Sequence, residues 1–181
     1  MSERILVTGG AGFVGSNLAN HFLRKGHEVI VFDNFMRRGV EKNVKWLEEN
    51  HKKRLSIIKG DVRDFDALKN ASKDAEVIFH TAAQVAVTTS VNNPREDFDI
   101  NASGTFNVLE AVRKSNTDPI IIYTSTNKVY GNNVNNIPLV EKERRYEFAD
   151  SNFKNGIPED FPTDANELHL MVVPSIQPIF T

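Results

Sequence analysis

The sequence predicts an α/β fold: a doubly wound parallel sheet with helices on both faces. Three observations carry this. Apolar runs of strand length alternate with longer runs of helical period. Several strand runs are almost continuously apolar, as expected when helices cover both faces of a parallel sheet. The first strand passes directly into a glycine turn and then a helix, Val7-Thr8-Gly9-Gly10-Ala11-Gly12-Phe13-Val14-Gly15.

Each element follows from its own pattern. Residues 4–7 read as a strand and residues 13–25 as a helix. Strands at 29–32, 55–59 and 77–80 are each followed by a helical stretch, at 40–51, 64–71 and 95–114, and a fifth strand spans 120–124. Right-handed crossovers then give the spatial order 3-2-1-4-5, a Rossmann-type arrangement with the glycine turn at the switch point. Ligands bind beyond the carboxyl ends of such strands. After Gly131 the texture changes. Residues 132–162 are polar, with several prolines and little periodicity, and read as a long loop holding one short helix at most. The Lys142-Glu143-Arg144-Arg145 run reads as a solvated face. The expected division is a binding domain at 1–131, a loop of the same domain at 132–167 and a divergent tail at 168–181.

At 181 residues the chain has the length of one domain with a real core. A net charge of −2 gives no electrostatic case for nucleic acid or an anionic membrane. With no cysteine there is no disulfide framework, thiolate metal site or thiol nucleophile. A strand begins within a few residues of Met1, and no apolar run is long enough to span a bilayer. The expectation is a cytoplasmic protein without a signal peptide.

A strand, a glycine turn and a helix in that order make a phosphate cradle. One glycine permits the turn, one lets the backbone approach a pyrophosphate, and one lets the helix pack closely. Gly10, Gly12 and Gly15 fit G-x-G-x-x-G, while Gly9, Gly12 and Gly15 fit T-G-x-x-G-x-x-G. The second strand ends in Asp33, placed to accept adenosine ribose hydroxyls and to repel a 2′-phosphate, which favours NAD over NADP. Arg37 and Arg38 are the counter-signal, since guanidinium groups hold phosphates well. Asp61 follows the third strand, where it either accepts the adenine amino group or caps a helix. His80 closes the fourth strand and reads as a satisfied core histidine. The small residues Thr81, Ala82 and Ala83 let the backbone lie against a cofactor. Thr124 and Thr126 bring hydroxyls to the end of the fifth strand, and Tyr130 reads as a packing residue before a turn.

Together these residues resemble the extended short-chain dehydrogenase/reductase superfamily of NAD-dependent epimerases and dehydratases. The resemblance rests on the glycine turn, Asp33-Asn34, Gly60-Asp61-Val62, His80-Thr81-Ala82-Ala83 and Asn101-Ala102-Ser103-Gly104-Thr105, and covers roughly the first 130 residues. Ala82-Ala83-Gln84-Val85-Ala86-Val87-Thr88-Thr89-Ser90 is similar to the CDP-paratose 2-epimerases, also called CDP-tyvelose epimerases. So are Ser125-Thr126-Asn127-Lys128-Val129-Tyr130-Gly131, Glu143-Arg144-Arg145-Tyr146-Glu147-Phe148-Ala149-Asp150 and Asn155-Gly156-Ile157. The resemblance implies NAD held by Gly9, Gly12, Phe13, Val14, Asp33, Asn34, Asp61, Val62, Thr81, Ala82, Ala83, Asn101 and Thr124. It implies a nucleotide-sugar substrate, a CDP-linked deoxysugar, inverted at C2 through a transient 2-keto intermediate. Thr126 would bond the reacting oxygen, while a Tyr-x-x-x-Lys pair supplies the base. A non-catalytic NAD-binding module and a related dehydratase or decarboxylase are the alternatives. Asn127 stands where a dehydratase would carry an acid, which favours the epimerase. Residues 95–114 offer a long helix for pairing in a homo-oligomer.

The pattern breaks after Glu167. In place of the Tyr-x-x-x-Lys helix the chain reads Leu168-His169-Leu170-Met171-Val172-Val173-Pro174-Ser175 and ends at Thr181. In a frame shifted by one base, the codons from Leu170 onward permit Tyr-Gly-Cys-Ser-Lys, with only the glycine forced. The expectation is a frameshift near Glu167 that removes the catalytic pair and the substrate lobe, leaving an inactive truncated chain; a natural short protein with its own C-terminus is the alternative.

Overall fold

A computed structural model describes residues 2–163. The expected tail at 168–181 lies outside the described residues. The described residues divide into two compact units that part between Thr124 and Ser125.

In the first unit the strands are β1 (Arg4–Thr8), β2 (Glu28–Asp33), β3 (Leu55–Lys59), β4 (Val77–His80) and β5 (Ile120–Tyr123). All neighbours are parallel, in the order β3-β2-β1-β4-β5. The expected topology is therefore the observed one. The crossovers run through α1 (Phe13–Arg24), α2 (Val40–His51), α3 (Phe65–Ser72), α4 (Val87–Asn92), α5 (Pro94–Phe98) and α6 (Gly104–Arg113).

Side chains alternate across a strand, so adjacent residues feed opposite layers. Ile5, Val7, Val29 and Val31 join Ala19, Leu23, Val44 and Leu47 on the face covered by α1 and α2. Leu6, Ile30, Phe32 and Ile78 join Leu68, Ala71 and Val108 on the face covered by α3 and α6. Both faces of β1 and β2 are buried, which explains their unbroken apolar sequences.

Local chemistry sets the helix starts. Asp64 caps α3, its Oδ1 accepting from Ala67 N–H at 3.0 Å. Asn93 caps α5 by accepting from Glu96 N–H at 3.2 Å, with Pro94 opening the helix. The helix expected at 95–114 is interrupted: a π-helical turn, Asp99–Ser103, separates α5 from α6. Helix α4 is an addition to the expected elements, because its Val- and Thr-rich sequence lacks a helical signature.

The second unit corrects the expectation of a loop with one short helix. It contains an antiparallel hairpin, β6 (Leu139–Glu141) with β7 (Tyr146–Phe148), and 3₁₀ turns at Asn127–Tyr130, Asn133–Asn136 and Ser151–Phe153. The Lys142-to-Arg145 charge run is the hairpin turn, closed by Lys142 N–H to the Arg145 carbonyl at 2.8 Å. Four rings hold the segment together edge to face. Tyr130 meets Phe161 at 5.8 Å, Phe161 meets Phe153 at 5.6 Å, and Phe153 meets Phe148 at 5.9 Å.

Gly15 marks where α1 meets the glycine turn. A Cβ there would lie 2.3 Å from the Gly9 carbonyl oxygen. Gly15→Ala is expected to destabilise the fold by about 1–3 kcal/mol through overpacking against backbone. Urea denaturation checks this; an unchanged midpoint would contradict the close packing.

Candidate functional site

The carboxyl ends of β1, β2 and β4 and the start of α1 enclose a cleft of about 480 Å³. That lies within the ~300–1,000 Å³ range of small-molecule sites. One wall is the glycine turn. Gly9 has φ +68, a conformation that favours glycine, and its N–H donates to the Phe32 carbonyl at 2.8 Å. A Cβ on Gly9 would lie 2.7 Å from Ala82 N. At Gly12 a Cβ would meet only the Gly9 oxygen, at 3.2 Å, so its other side faces the cleft.

Helix α1 begins at this turn with no side-chain cap and no acidic residue in its first turn. Its positive end and leading N–H groups are therefore available to an anion. Phe13 and Val14 are largely exposed at the mouth. A dinucleotide pyrophosphate fits this wall, because side chains are absent where backbone must approach it.

Asp33 stands opposite. Its Oδ2 accepts from Ala11 N–H at 3.1 Å and its Oδ1 from Phe35 N–H at 2.9 Å. The carboxylate thus ties the glycine turn to the end of β2, and each oxygen keeps acceptor capacity for a ribose hydroxyl. Asn34 and Asp61 join on the same wall, Asn34 Nδ2 donating to Asp61 Oδ2 at 2.9 Å. Asp61 does not cap a helix; that role falls to Asp64. The Arg63 guanidinium bonded to Asp61 holds its carboxyl well below the usual carboxylate range.

Residues Thr81, Ala82, Ala83 and Gln84 form the third wall. Thr81 Oγ1 donates to the Thr8 carbonyl at 2.7 Å. Two expected cofactor residues lie elsewhere. Asn101 is buried, and its amide is committed to the Gln84 loop. Oδ1 accepts from Gln84 N–H at 2.9 Å, while Nδ2 donates to the Gln84 carbonyl at 3.2 Å and to Asp97 Oδ1 at 3.2 Å. Asn101 therefore shapes the wall from behind. Thr124 does not line the cleft either; its hydroxyl donates to the His80 carbonyl at 3.2 Å. Thr126 belongs to the second unit. Sequence patterns missed Arg63, Gln84 and Glu96, which reach the cleft only through folding.

His80 is a buried linker, as its sequence context implies. Thr105 Oγ1 donates to the Asn101 carbonyl at 2.6 Å, so it accepts from His80 Nε2 at 3.0 Å. Nδ1 then accepts from the Thr8 hydroxyl at 2.6 Å. This fixes a neutral imidazole, stacked on Tyr123 at 5.7 Å. Asp97 is also buried, with Oδ1 accepting from the Ser90 hydroxyl at 2.5 Å.

The sequence matches the GDP-mannose 4,6-dehydratase family over residues 6–148. It is 44% identical over 163 residues to the CDP-paratose 2-epimerase of Salmonella typhi, covering 89% of this chain and 47% of that protein. It is 40% identical over 128 residues to a putative UDP-glucose 4-epimerase of Methanocaldococcus jannaschii, covering 70% of this chain and 39% of that one. The structure resembles the Thermus thermophilus UDP-glucose 4-epimerase complex with NAD at a TM-score of 0.61 and 30% identity, over 88% of this chain and 44% of that one. A UDP-N-acetylglucosamine 4-epimerase from Methanobrevibacter ruminantium M1 gives 0.64 and 33%, over 78% and 43%. The chain therefore belongs to the GDP-mannose 4,6-dehydratase family of extended short-chain dehydrogenases/reductases. It spans less than half the length of these relatives. Among the described residues no helix is long and apolar enough to cross a membrane.

Burial lowers the His80 pKa from its ordinary 6.5 to about 4. The unfolded chain therefore takes up this proton first as pH falls. The neutral ring's stability is complete above about pH 6.5 and is lost progressively toward pH 4, on the order of 3 kcal/mol in total. Urea midpoints at pH 7 and pH 4.5 should differ more for the wild type than for His80→Gln. Equal differences would remove His80 from the linkage.

Proposed function

We propose that the chain binds NAD in this cleft and forms the cofactor half of a nucleotide-sugar epimerase. The observation that carries this reading is the uncapped start of α1, set behind a side-chain-free glycine turn and facing Asp33. Gly9, Gly12, Phe13 and Val14 offer backbone to the pyrophosphate. Asp33 and Asn34 take the adenosine ribose, Asp61 and Val62 form the base end, and the backbone of Thr81, Ala82 and Ala83 lies against the cofactor. Asp33 disfavours a 2′-phosphate, so NAD is preferred over NADP.

Bound NAD supplies a reversible hydride acceptor. A sugar carbon bearing only a hydroxyl is not acidic, so a base alone cannot invert it. Identity with the CDP-paratose 2-epimerase supports C2 of a CDP-linked deoxysugar as the centre, with a 2-keto intermediate that presents its other face before reduction. Thr126 holds the reacting oxygen by a hydrogen bond. Asn127 beside it favours epimerisation over loss of water, although the matched family is named for a dehydratase. The 181-residue sequence contains no Tyr-x-x-x-Lys. A polypeptide of these residues alone should bind NAD without turning over, since acid–base groups contribute about 10²–10⁴-fold.

Calorimetric titration of NAD tests the site. Asp33→Ala should weaken NAD by about 1–3 kcal/mol, the range for charged hydrogen bonds, with no comparable loss for NADP. Gly12→Val should abolish NAD binding in a folded protein. Normal NAD affinity in both variants would refute the assignment. Conversion of CDP-paratose by the 181-residue polypeptide would overturn the catalytic part alone.

A further inference from the structure

Helix α2 presents Val40, Val44 and Leu47 to the core, all of them buried. Asn43 falls on the same stripe, because residues three and four apart share a helix face. An apolar side chain there would extend the stripe, yet the chain places an amide. Its Nδ2 donates to the Ala11 carbonyl at 2.8 Å. Ala11 is fully buried in the glycine turn, and both of its backbone groups are paired with side chains. Its N–H donates to Asp33 Oδ2 at 3.1 Å, and its carbonyl accepts from Asn43. The next N–H, that of Gly12, donates to the Gly9 carbonyl at 3.0 Å. Helix α2 does not need the amide in order to stay seated. Val44 and Leu47 pack into the core, and at the far end His51 Nε2 lies 2.8 Å from Asn20 Oδ1 on α1.

We propose that Asn43 is a positioning residue for the cofactor's pyrophosphate: it fixes the Ala11–Gly12 peptide, and with it the aim of the N–H groups that open α1. The proposal rests on the reading of the cleft as a dinucleotide site and adds a residue that acts on it from behind. Neither Asn43 nor Ala11 lines the cleft, so the effect passes through backbone. Glycines at 9, 10 and 12 give the turn room for an anion and leave it conformationally free. Side chains from outside must then hold it, and Asp33 and Asn43 do so on the two sides of Ala11. Without the amide, a buried carbonyl loses its donor, which is costly. The peptide would rotate toward another donor, and the N–H groups of Phe13 and Val14 would turn with it. An anion held by several N–H groups needs them aimed together, and ordering them on binding weakens affinity.

Two variants of the 181-residue protein, each titrated calorimetrically with NAD, separate this role from plain helix packing. Asn43→Leu removes the donor and keeps bulk on the apolar stripe. Val44→Ala loosens α2 in the core and leaves the bond from Asn43 to Ala11 in place. NAD affinity should fall about five- to tenfold in Asn43→Leu, the scale of one hydrogen bond, and stay within about twofold of the wild type in Val44→Ala. That contrast should hold even if Val44→Ala has the lower urea midpoint, whereas a loosened helix alone would move both affinities together. Asn43→Ala removes the donor without adding bulk and should show the same loss, which keeps the test decisive if leucine prevents folding. Affinity within about twofold of the wild type in a donor-free variant, folded by circular dichroism, would overturn the proposal. So would an equal loss in Val44→Ala. Failure of the wild type to bind NAD would instead overturn the cofactor reading itself.

Discussion

Closure of the glycine turn against two neighbouring strand ends is the constraint on which the site depends. Gly9 donates to Phe32 at the end of β2, and Asp33 accepts from Ala11 within the turn. On the other side Gly9 presses on the backbone of Ala82, just beyond β4. Only the order β2-β1-β4 brings these three chain segments together, with β1 between two strands reached by crossovers in opposite directions. The sheet topology and the shape of the glycine turn are thus one arrangement. A side chain at Gly9 would clash with the Ala82 backbone and also hold the turn in an unfavourable conformation.

The interior beneath the cleft is polar in an ordered way. Thr8, His80, Thr105 and Asn101 pass hydrogen bonds from β1 through β4 into the helix behind the third wall. Each hydroxyl has one proton to give, so the direction at Thr105 determines the tautomer of His80 and then the donor at Thr8. Buried polar groups are costly when left unpaired. A fully committed chain of this kind ties three elements to one geometry while leaving no group available to be pulled toward water.

The fold was legible because most of its information is local. Apolar strands, helical periods and the glycine turn each sit within a few residues, and the parallel order follows from right-handed crossovers. The glycine turn and the place of Asp33 at the end of β2 were legible for the same reason. Helix α4 was not, because its anchor lies outside it: Asp97, on α5, accepts from the buried Ser90 hydroxyl. The hairpin of the second unit was hidden by composition: Tyr130, Phe148, Phe153 and Phe161 are scattered singly among polar residues, and no period connects them. Asn101 belonged to a recognisable motif, but the motif carries no sign of whether its amide faces a ligand or a loop. Arg63 follows Asp61 by two residues, a spacing with no signature; only the folded loop turns it back onto the carboxylate.

The π-helical turn Asp99–Ser103 has one more consequence. Asn101, within it, grips the loop at Gln84, while Asn107, on α6, grips the loop at Val62 and Arg63. Both loops line the cleft, and a single continuous stretch of backbone spans them like a splint. The gap between the loops is then a dimension written into the peptide chain rather than one that a ligand must impose. Removing one residue to restore a regular α-helix would turn one asparagine by about 100° relative to the other. One loop would lose its grip, and a gauge that the cleft now receives ready-made would have to be set by whatever molecule entered it.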